Sequence, residues 1–190
     1  MQHLAEVIMI AVPNYVSPEE YLTLELQSDY RHEYRRGLVY AMSGGTDNHD
    51  RIAFNLLKMI DNHLGDSQCR FYSGNVRVNY QDEFYYYPDA FVTCDPRDRG
   101  DRYLKRYPKL IVEVLSPSTQ AFDLDEKFRD YQKITALEEY VLIAQDRQWV
   151  ECHRRRGENW EVVVYEAGDS VLLTSLGLGF EIDQLYRGLD

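Results

Sequence analysis

Two periods of apolar residues run along this chain and divide it into helices and strands. In residues 52–64, Ile52, Ala53, Leu56, Leu57, Ile60 and Leu64 return every three or four positions, the spacing of a helix with one buried stripe. Thr46 or Asp47 caps that helix, which is expected to end near Gly65. His49 falls in its first turn, four residues before Ala53 and near the inner stripe; a lone His there is most often a capping or packing residue. Ser17-Pro18-Glu19-Glu20 sets another helix start, with Ser at the N-cap, Pro at the first helical position and Glu20 closing a capping box; this helix runs to about Gln27. A third helix is expected from an Asp123 N-cap, with Glu126 three residues on. It carries Leu124, Phe128, Tyr131 and Ile134 and stops near Ala136. Lys127 lies one turn before Tyr131 and shares its face.

Alternating or unbroken apolar runs predict strands. Residues 30–36 and 38–42 read as a hairpin turning at Gly37. Strands follow at 69–72, 76–80 and 84–94. Tyr85, Tyr86 and Tyr87 read as a half-exposed strand or the approach to one, and Pro88 breaks the ladder just before Asp89. Residues 139–144, 148–154 and 160–165 form a run of strands, with shorter pieces at 171–173 and 180–185. Residues 110–115 differ from all of these. They are apolar almost without interruption, the pattern of a strand buried on both faces, yet Glu113 stands among them. The order of elements implies an α/β or α+β fold, a mixed sheet with helices packed on it.

Composition narrows the picture. With 190 residues and 44% apolar side chains the chain reads as a globular protein with a full core. Residues 1–14 are expected to be a leader and 15–190 a single domain. Residues 4–12 are mildly apolar but carry Glu6 and lack a basic flank, so they are not read as a signal peptide. No apolar run reaches the roughly 18 residues a membrane span needs. Three cysteines, Cys69, Cys94 and Cys152, form an odd, sparse set without CxxC spacing; that suggests a reducing compartment, no zinc site and a cytoplasmic protein.

A net charge of -11 argues against a broad basic face for nucleic acid. Local patches remain. Arg97, Arg99, Arg102, Lys105, Arg106 and Lys109 outnumber Asp95, Asp98 and Asp101 in one segment. His153-Arg154-Arg155-Arg156 is a second patch. Taken alone, each reads as a solvated loop or hairpin end.

Asp89 and Glu113 carry the chemistry. A buried carboxylate is costly without a partner. If the strands holding these two are neighbours, the carboxylates meet on one side of the sheet and repel unless a cation neutralises them. A hard divalent ion, Mg²⁺ or Mn²⁺, suits such oxygen donors. Lys127 could add positive charge beside an attacking water or a phosphate. By spacing alone Asp89 is equally a turn residue after Pro88, Glu113 a structural acid paired with Arg102 or Lys127, and Lys127 a surface residue.

Pro88-Asp89, then Glu113-Val114-Leu115-Ser116-Pro117-Ser118-Thr119, then Asp123, Lys127 and Tyr131, then Glu138-Glu139-Tyr140-Val141-Leu142-Ile143 resemble the Uma2 family of endonucleases, formerly DUF820. The family is abundant in cyanobacteria and belongs to the PD-(D/E)XK nuclease superfamily. Upstream, His32-Glu33-Tyr34, Gly37, Met42-Ser43 and His49 are similar to its N-terminal pattern. The resemblance covers about residues 15–185. It implies a restriction-endonuclease-like core, a central mixed sheet flanked by helices. It implies Asp89 and Glu113 as metal ligands, with the Val114 backbone carbonyl as a third. Leu115 stands where the superfamily has a lysine, and Lys127 is the migrated substitute. Glu33 and His49 are implied as further site residues that complete the metal shell or handle a proton. The expected activity is Mg²⁺- or Mn²⁺-dependent cleavage of DNA, with Arg97, Arg99, Arg102, Lys105 and Arg106 on backbone phosphates. A second reading is a nuclease-like fold that binds nucleic acid or a protein partner without cutting. A third is a homodimer built through the Tyr-rich strands.

Overall fold

The computed structural model describes residues 15–42, 44–117 and 119–189. The expected leader, Ser43 and Ser118 lie outside them. Helix α1 (Pro18–Gln27) begins with the capping box read from the sequence: Ser17 N donates to Glu20 Oε2 at 2.8 Å and Glu20 N to Ser17 Oγ at 3.2 Å. Strands β1 (His32–Arg35) and β2 (Leu38–Ala41) form the hairpin. Arg36 and Gly37 both take positive φ in its turn, and a Cβ on Gly37 would overlap the Tyr15 ring. Helix α2 (Asp47–Leu64) is capped by Thr46 and turns its Ile52, Leu56 and Ile60 inward.

The chain then adds β3 (Arg70–Ser73), β4 (Arg77–Tyr80), β5 (Phe84–Tyr86), β6 (Ala90–Thr93), β7 (Leu104–Lys105) and β8 (Leu110–Leu115). After a helical segment come β9 (Glu139–Ala144), β10 (Trp149–Arg156), β11 (Asn159–Glu166), β12 (Ser170–Leu173) and β13 (Leu178–Glu181). The strands form a six-stranded sheet in the order β11-β10-β9-β8-β6-β3, a five-stranded sheet β2-β1-β5-β4-β7, and the β12-β13 pair. Both large sheets are mixed, with β8 parallel to β9 and β4 parallel to β7. Among the described residues no helix is long and apolar enough to cross a membrane.

Alternation along β8 explains the two cores. Leu110, Val112 and Val114 join α2 and the β12-β13 side. Ile111 and Leu115 face Tyr131, Tyr140 and the inner residues Val78, Phe84 and Tyr86 of the five-stranded sheet. Glu113 therefore points into the seam between the two sheets.

Four expectations change. Pro88 does not merely interrupt one strand: β5 and β6 belong to different sheets, and the chain crosses between them at residues 87–89. Tyr85, Tyr86 and Tyr87 are buried, not half-exposed. Their hydroxyls donate to Asp82, to Asp130 at 2.9 Å and to Glu25 at 2.7 Å, which removes the cost of burying them. These three side chains therefore offer no exposed surface for the expected dimer contact. Asp123 is not an N-cap: the third helix, α3, starts as Gln120–Phe122, widens to a π-turn at Asp123–Lys127 and finishes as Phe128–Tyr131. Finally, Cys69 and Cys94 are joined in a disulfide and only Cys152 is free and buried. They flank the Arg70↔Thr93 rung of β3 and β6, an adjacency that spacing along the chain does not reveal.

The second basic patch is not a solvated surface either. Arg154 Nε donates to the fully buried Glu139 at 3.0 Å and its Nη2 to the Leu172 carbonyl at 2.7 Å, tying β9 to β12 through β10. Arg155 donates to the carbonyls of Leu137, Gln132 and Ile134. Removing one partner of a buried pair strands the other charge. Arg154→Met is expected to cost about 3–5 kcal/mol in urea unfolding; a cost below about 1 kcal/mol, the value of an exposed pair, would show that Glu139 does not depend on it.

Candidate active site between the sheets

Glu113 is held in the seam by two donors. Lys127 Nζ lies 3.2 Å and Tyr131 Oη 3.1 Å from its Oε1. Lys127 and Tyr131 reach it together because they share one face of α3. The same ammonium lies 3.1 Å from Glu33 Oε1 and 3.3 Å from Asp123 Oδ1. Three carboxylates, from β1, β8 and α3, thus surround one cation. Glu33 Oε1 also accepts from the Tyr87 amide at 2.9 Å. Asp123 Oδ1 is buried and makes no hydrogen bond despite its nearness to Lys127.

Asp89 sits where the chain crosses between sheets. β6 and β8 are neighbours and their last paired rung is Ala90 opposite Val112, so Asp89, the residue before β6, lies beside the Glu113–Val114 end of β8. Asp89 Oδ2 accepts from the Val114 amide at 2.7 Å and lies 3.1 Å from His49 Nε2. About a fifth of the Asp89 and His49 side chains is exposed, against 4% for Glu113 and 7% for Lys127. The cluster therefore opens to solvent at Asp89 and His49 and closes behind Lys127.

Charge follows this geometry. Burial pushes the Glu113 carboxyl well above the ordinary range; Lys127 pulls it back, and Asp123, Asp89 and Glu33 push it further up. Burial likewise raises Glu33 against the pull of Lys127. Burial alone would lower Lys127, but Glu113, Glu33 and Asp123 outweigh it and keep the ammonium charged. His49 is raised mainly by its bond to Asp89, against burial, with the Val114 carbonyl acting in the same direction as Asp89.

The structure thus brings Glu113, Lys127 and Glu33 into one ion-paired group and sets the Asp89–His49 pair beside it, bonded to the Val114 amide next to Glu113. Asp123 and Tyr131 were read as a cap and a packing residue. The signal for their place was the spacing of four through Asp123, Lys127 and Tyr131, which aims all three at one spot. The basic loop fares differently. It leaves β6 and enters β8 at the ends away from Asp89 and Glu113, about 10–17 Å along the strands. Arg97, Arg99, Arg102 and Arg106 are exposed there. Lys105 is not: it is 3% exposed, and its ammonium donates to the carbonyls of Asp98, at 2.8 Å, and Asp101. It holds the loop and is not placed to meet a phosphate.

Among the described residues no three His, Cys, Asp or Glu side chains converge as a ready metal cage. The carboxylates are turned toward Lys127, His49 and the Val114 amide. The donor chemistry nonetheless fits a hard divalent ion. The oxygens are carboxylates, and Asp123 Oδ1, though 3.3 Å from the Lys127 ammonium, is buried without a hydrogen bond.

Residues 18–185 match the Uma2 family, described as "Putative restriction endonuclease". Two uncharacterized proteins of Synechocystis sp. are similar to the chain. One, slr1290, is 39% identical over 176 residues, covering 92% of this chain and 93% of the relative. The other, sll1609, is 32% identical over 170 residues, covering 82% and 96%. The fold resembles the crystal structure of "a putative nuclease belonging to DUF820" from Anabaena variabilis. The TM-score is 0.76 at 20% identity, over 90% of this chain and 97% of that one. The mixed α+β architecture is thus a restriction-endonuclease-like nuclease fold, as the sequence implied.

A carboxyl whose folded pKa lies above its unfolded value, here about 4.5, stabilises the fold below that value; the contribution is lost as pH rises through the folded pKa. Lys127 offsets that loss for Glu113 and Glu33. Lys127→Met should therefore cost about 3–5 kcal/mol in urea unfolding at neutral pH and clearly less in mild acid. An equal cost at both would show that the carboxylates do not depend on its charge.

Proposed function

This chain belongs to the Uma2 family, and from that premise we propose that it is a divalent-metal-dependent endonuclease hydrolysing DNA phosphodiester bonds. The observation that carries the reading is Asp89 bonded to the Val114 amide, next to Glu113 on β8, with the Lys127 ammonium 3.2 Å from Glu113. Asp89, Glu113 and the Val114 carbonyl would hold Mg²⁺ or Mn²⁺, which when bound polarises a phosphoryl oxygen and lowers the pKa of a bound water. Lys127 replaces the lysine that Leu115 displaces. Its ammonium, kept charged by its neighbours, stabilises negative charge developing on the phosphate. Glu33 and Asp123 hold that ammonium toward Glu113. Tyr131 fixes the Glu113 carboxyl from the other side by donating to Oε1. His49 stands at the mouth on Asp89, where a raised pKa suits it to give or take a proton.

Arg97, Arg99, Arg102 and Arg106 contact backbone phosphates a few base pairs from the cut. They position the duplex without reading bases. With a chain charge of -11 this interaction is local and strongly salt-dependent. Replacing Arg99 and Arg102 by Ala should weaken DNA binding and flatten the logarithmic salt slope by about 0.9 for each phosphate no longer neutralised. An unchanged slope would remove this loop from the interface.

One observation favours a fold that binds without cutting. Leu115 stands where the superfamily has its lysine, and Lys127 is engaged by three carboxylates. Calorimetry with Mg²⁺ and Mn²⁺, run beside plasmid nicking, separates the readings. Asp89→Ala and Glu113→Ala should each lose the metal and lower nicking by about 100-fold or more. Equal metal binding by all three proteins overturns the ligand assignment. Nicking that survives both substitutions overturns the mechanism. Wild-type DNA binding without nicking, at every salt and divalent ion tried, decides for the non-cutting reading.

A further inference from the structure

We propose that the outer edge of β11 is a homodimer interface, two copies pairing antiparallel about Val163 into one continuous sheet. β11 ends the six-stranded sheet, and among the described residues only β10 pairs with it. It is eight residues long, an open edge of about 27 Å. The other sheet ends are shorter: β2, β3, β12 and β13 have four residues each and β7 two. A long edge presents unpaired amides and carbonyls, and natural proteins blunt such edges with Lys, Pro or a bulge. Asn-Trp-Glu-Val-Val-Val-Tyr-Glu has neither Lys nor Pro, and its two charges, Glu161 and Glu166, flank an uncharged centre at Val162-Val163-Val164. Its register with β10 is unbroken from Trp149↔Glu166 to Arg156↔Asn159, so it has no bulge. Val162 and Val164, on one face, are 52% and 45% exposed.

The sequence selects the occupant. Side chains directly opposite in an antiparallel pair share a face, so a two-fold axis must pass through a residue and not between two. Centred on Val163, Val162 faces Val164 of the second copy, Trp160 faces Glu166 and Glu161 faces Tyr165. The four valines form one apolar patch, and no like charges stand opposite. Centred on Val162, Glu158 would face Glu166; centred on Val164, Val162 would face Glu166. The strand is therefore complementary to itself in one register, and that points to a second copy of this chain.

The test reads mass and cross-linking on the full chain, so it stands apart from the nuclease reading. Sedimentation equilibrium should give twice the mass of one chain for the wild type. Val162→Lys with Val164→Lys should halve it with the far-ultraviolet circular dichroism and thermal midpoint retained, since both side chains are about half exposed in the single chain. Val163→Cys should form a disulfide-linked dimer under mild oxidation, while Glu161→Cys, which faces Tyr165, should not. A monomeric wild type, a double variant that stays dimeric, or equal cross-linking by both cysteines overturns the proposal. A monomer whose β11 amides exchange slowly also overturns it.

Discussion

The Lys127 ammonium stands in the seam between two sheets, 3.1–3.3 Å from carboxylates that three separate elements supply. In so dry a place each carboxylate alone would be costly, and one cation cannot neutralise all three. Burial and mutual repulsion accordingly raise Glu113 and Glu33, while Lys127 is locked in its charged form. This arrangement ties β1 of one sheet to β8 of the other through α3.

The helix geometry serves this contact. A π-turn at Asp123–Lys127 widens α3 where its polar side chains must face inward, while Phe128 and Tyr131 keep packing against the core. π-turns are rare and recur at functional sites, since the extra residue changes where side chains point. The Tyr140 hydroxyl donates to the Asp123 carbonyl at 2.9 Å, which satisfies one backbone group in that turn. Stability alone would favour apolar residues in such a seam. Keeping four ionisable side chains there is the pattern expected of a site that gives up stability for chemistry.

The remaining cations show how little charge can say without a structure. Lys105 and Arg154 look alike in sequence to Arg102 and Arg156, yet the first two are buried and satisfied by carbonyls or by Glu139, and the last two are exposed. A basic run on a strand alternates between core and solvent, so its formal charge overstates what a ligand would meet.

The sequence by itself determined most of the elements and the central residues of the cluster. The capping box at Ser17, the apolar stripe of α2 and the unbroken apolar run around Glu113 are local patterns, set by helix and strand periods of a few residues, and each survives in the fold. The motif block marked Asp89, Glu113 and Lys127, and the family match covers the same stretch. Only the tertiary structure decided what depends on contacts between distant segments. Pairing of β6 with β8 set Asp89 against the Val114 amide, next to Glu113; the approach of two sheets brought Glu33 and Asp123 to Lys127; the β3–β6 ladder joined Cys69 to Cys94. The pairing of β6 with β8 also sent the basic loop to the far ends of the strands from Glu113. Burial, register and the π-turn are collective outcomes of packing, and no local period in the chain encodes them.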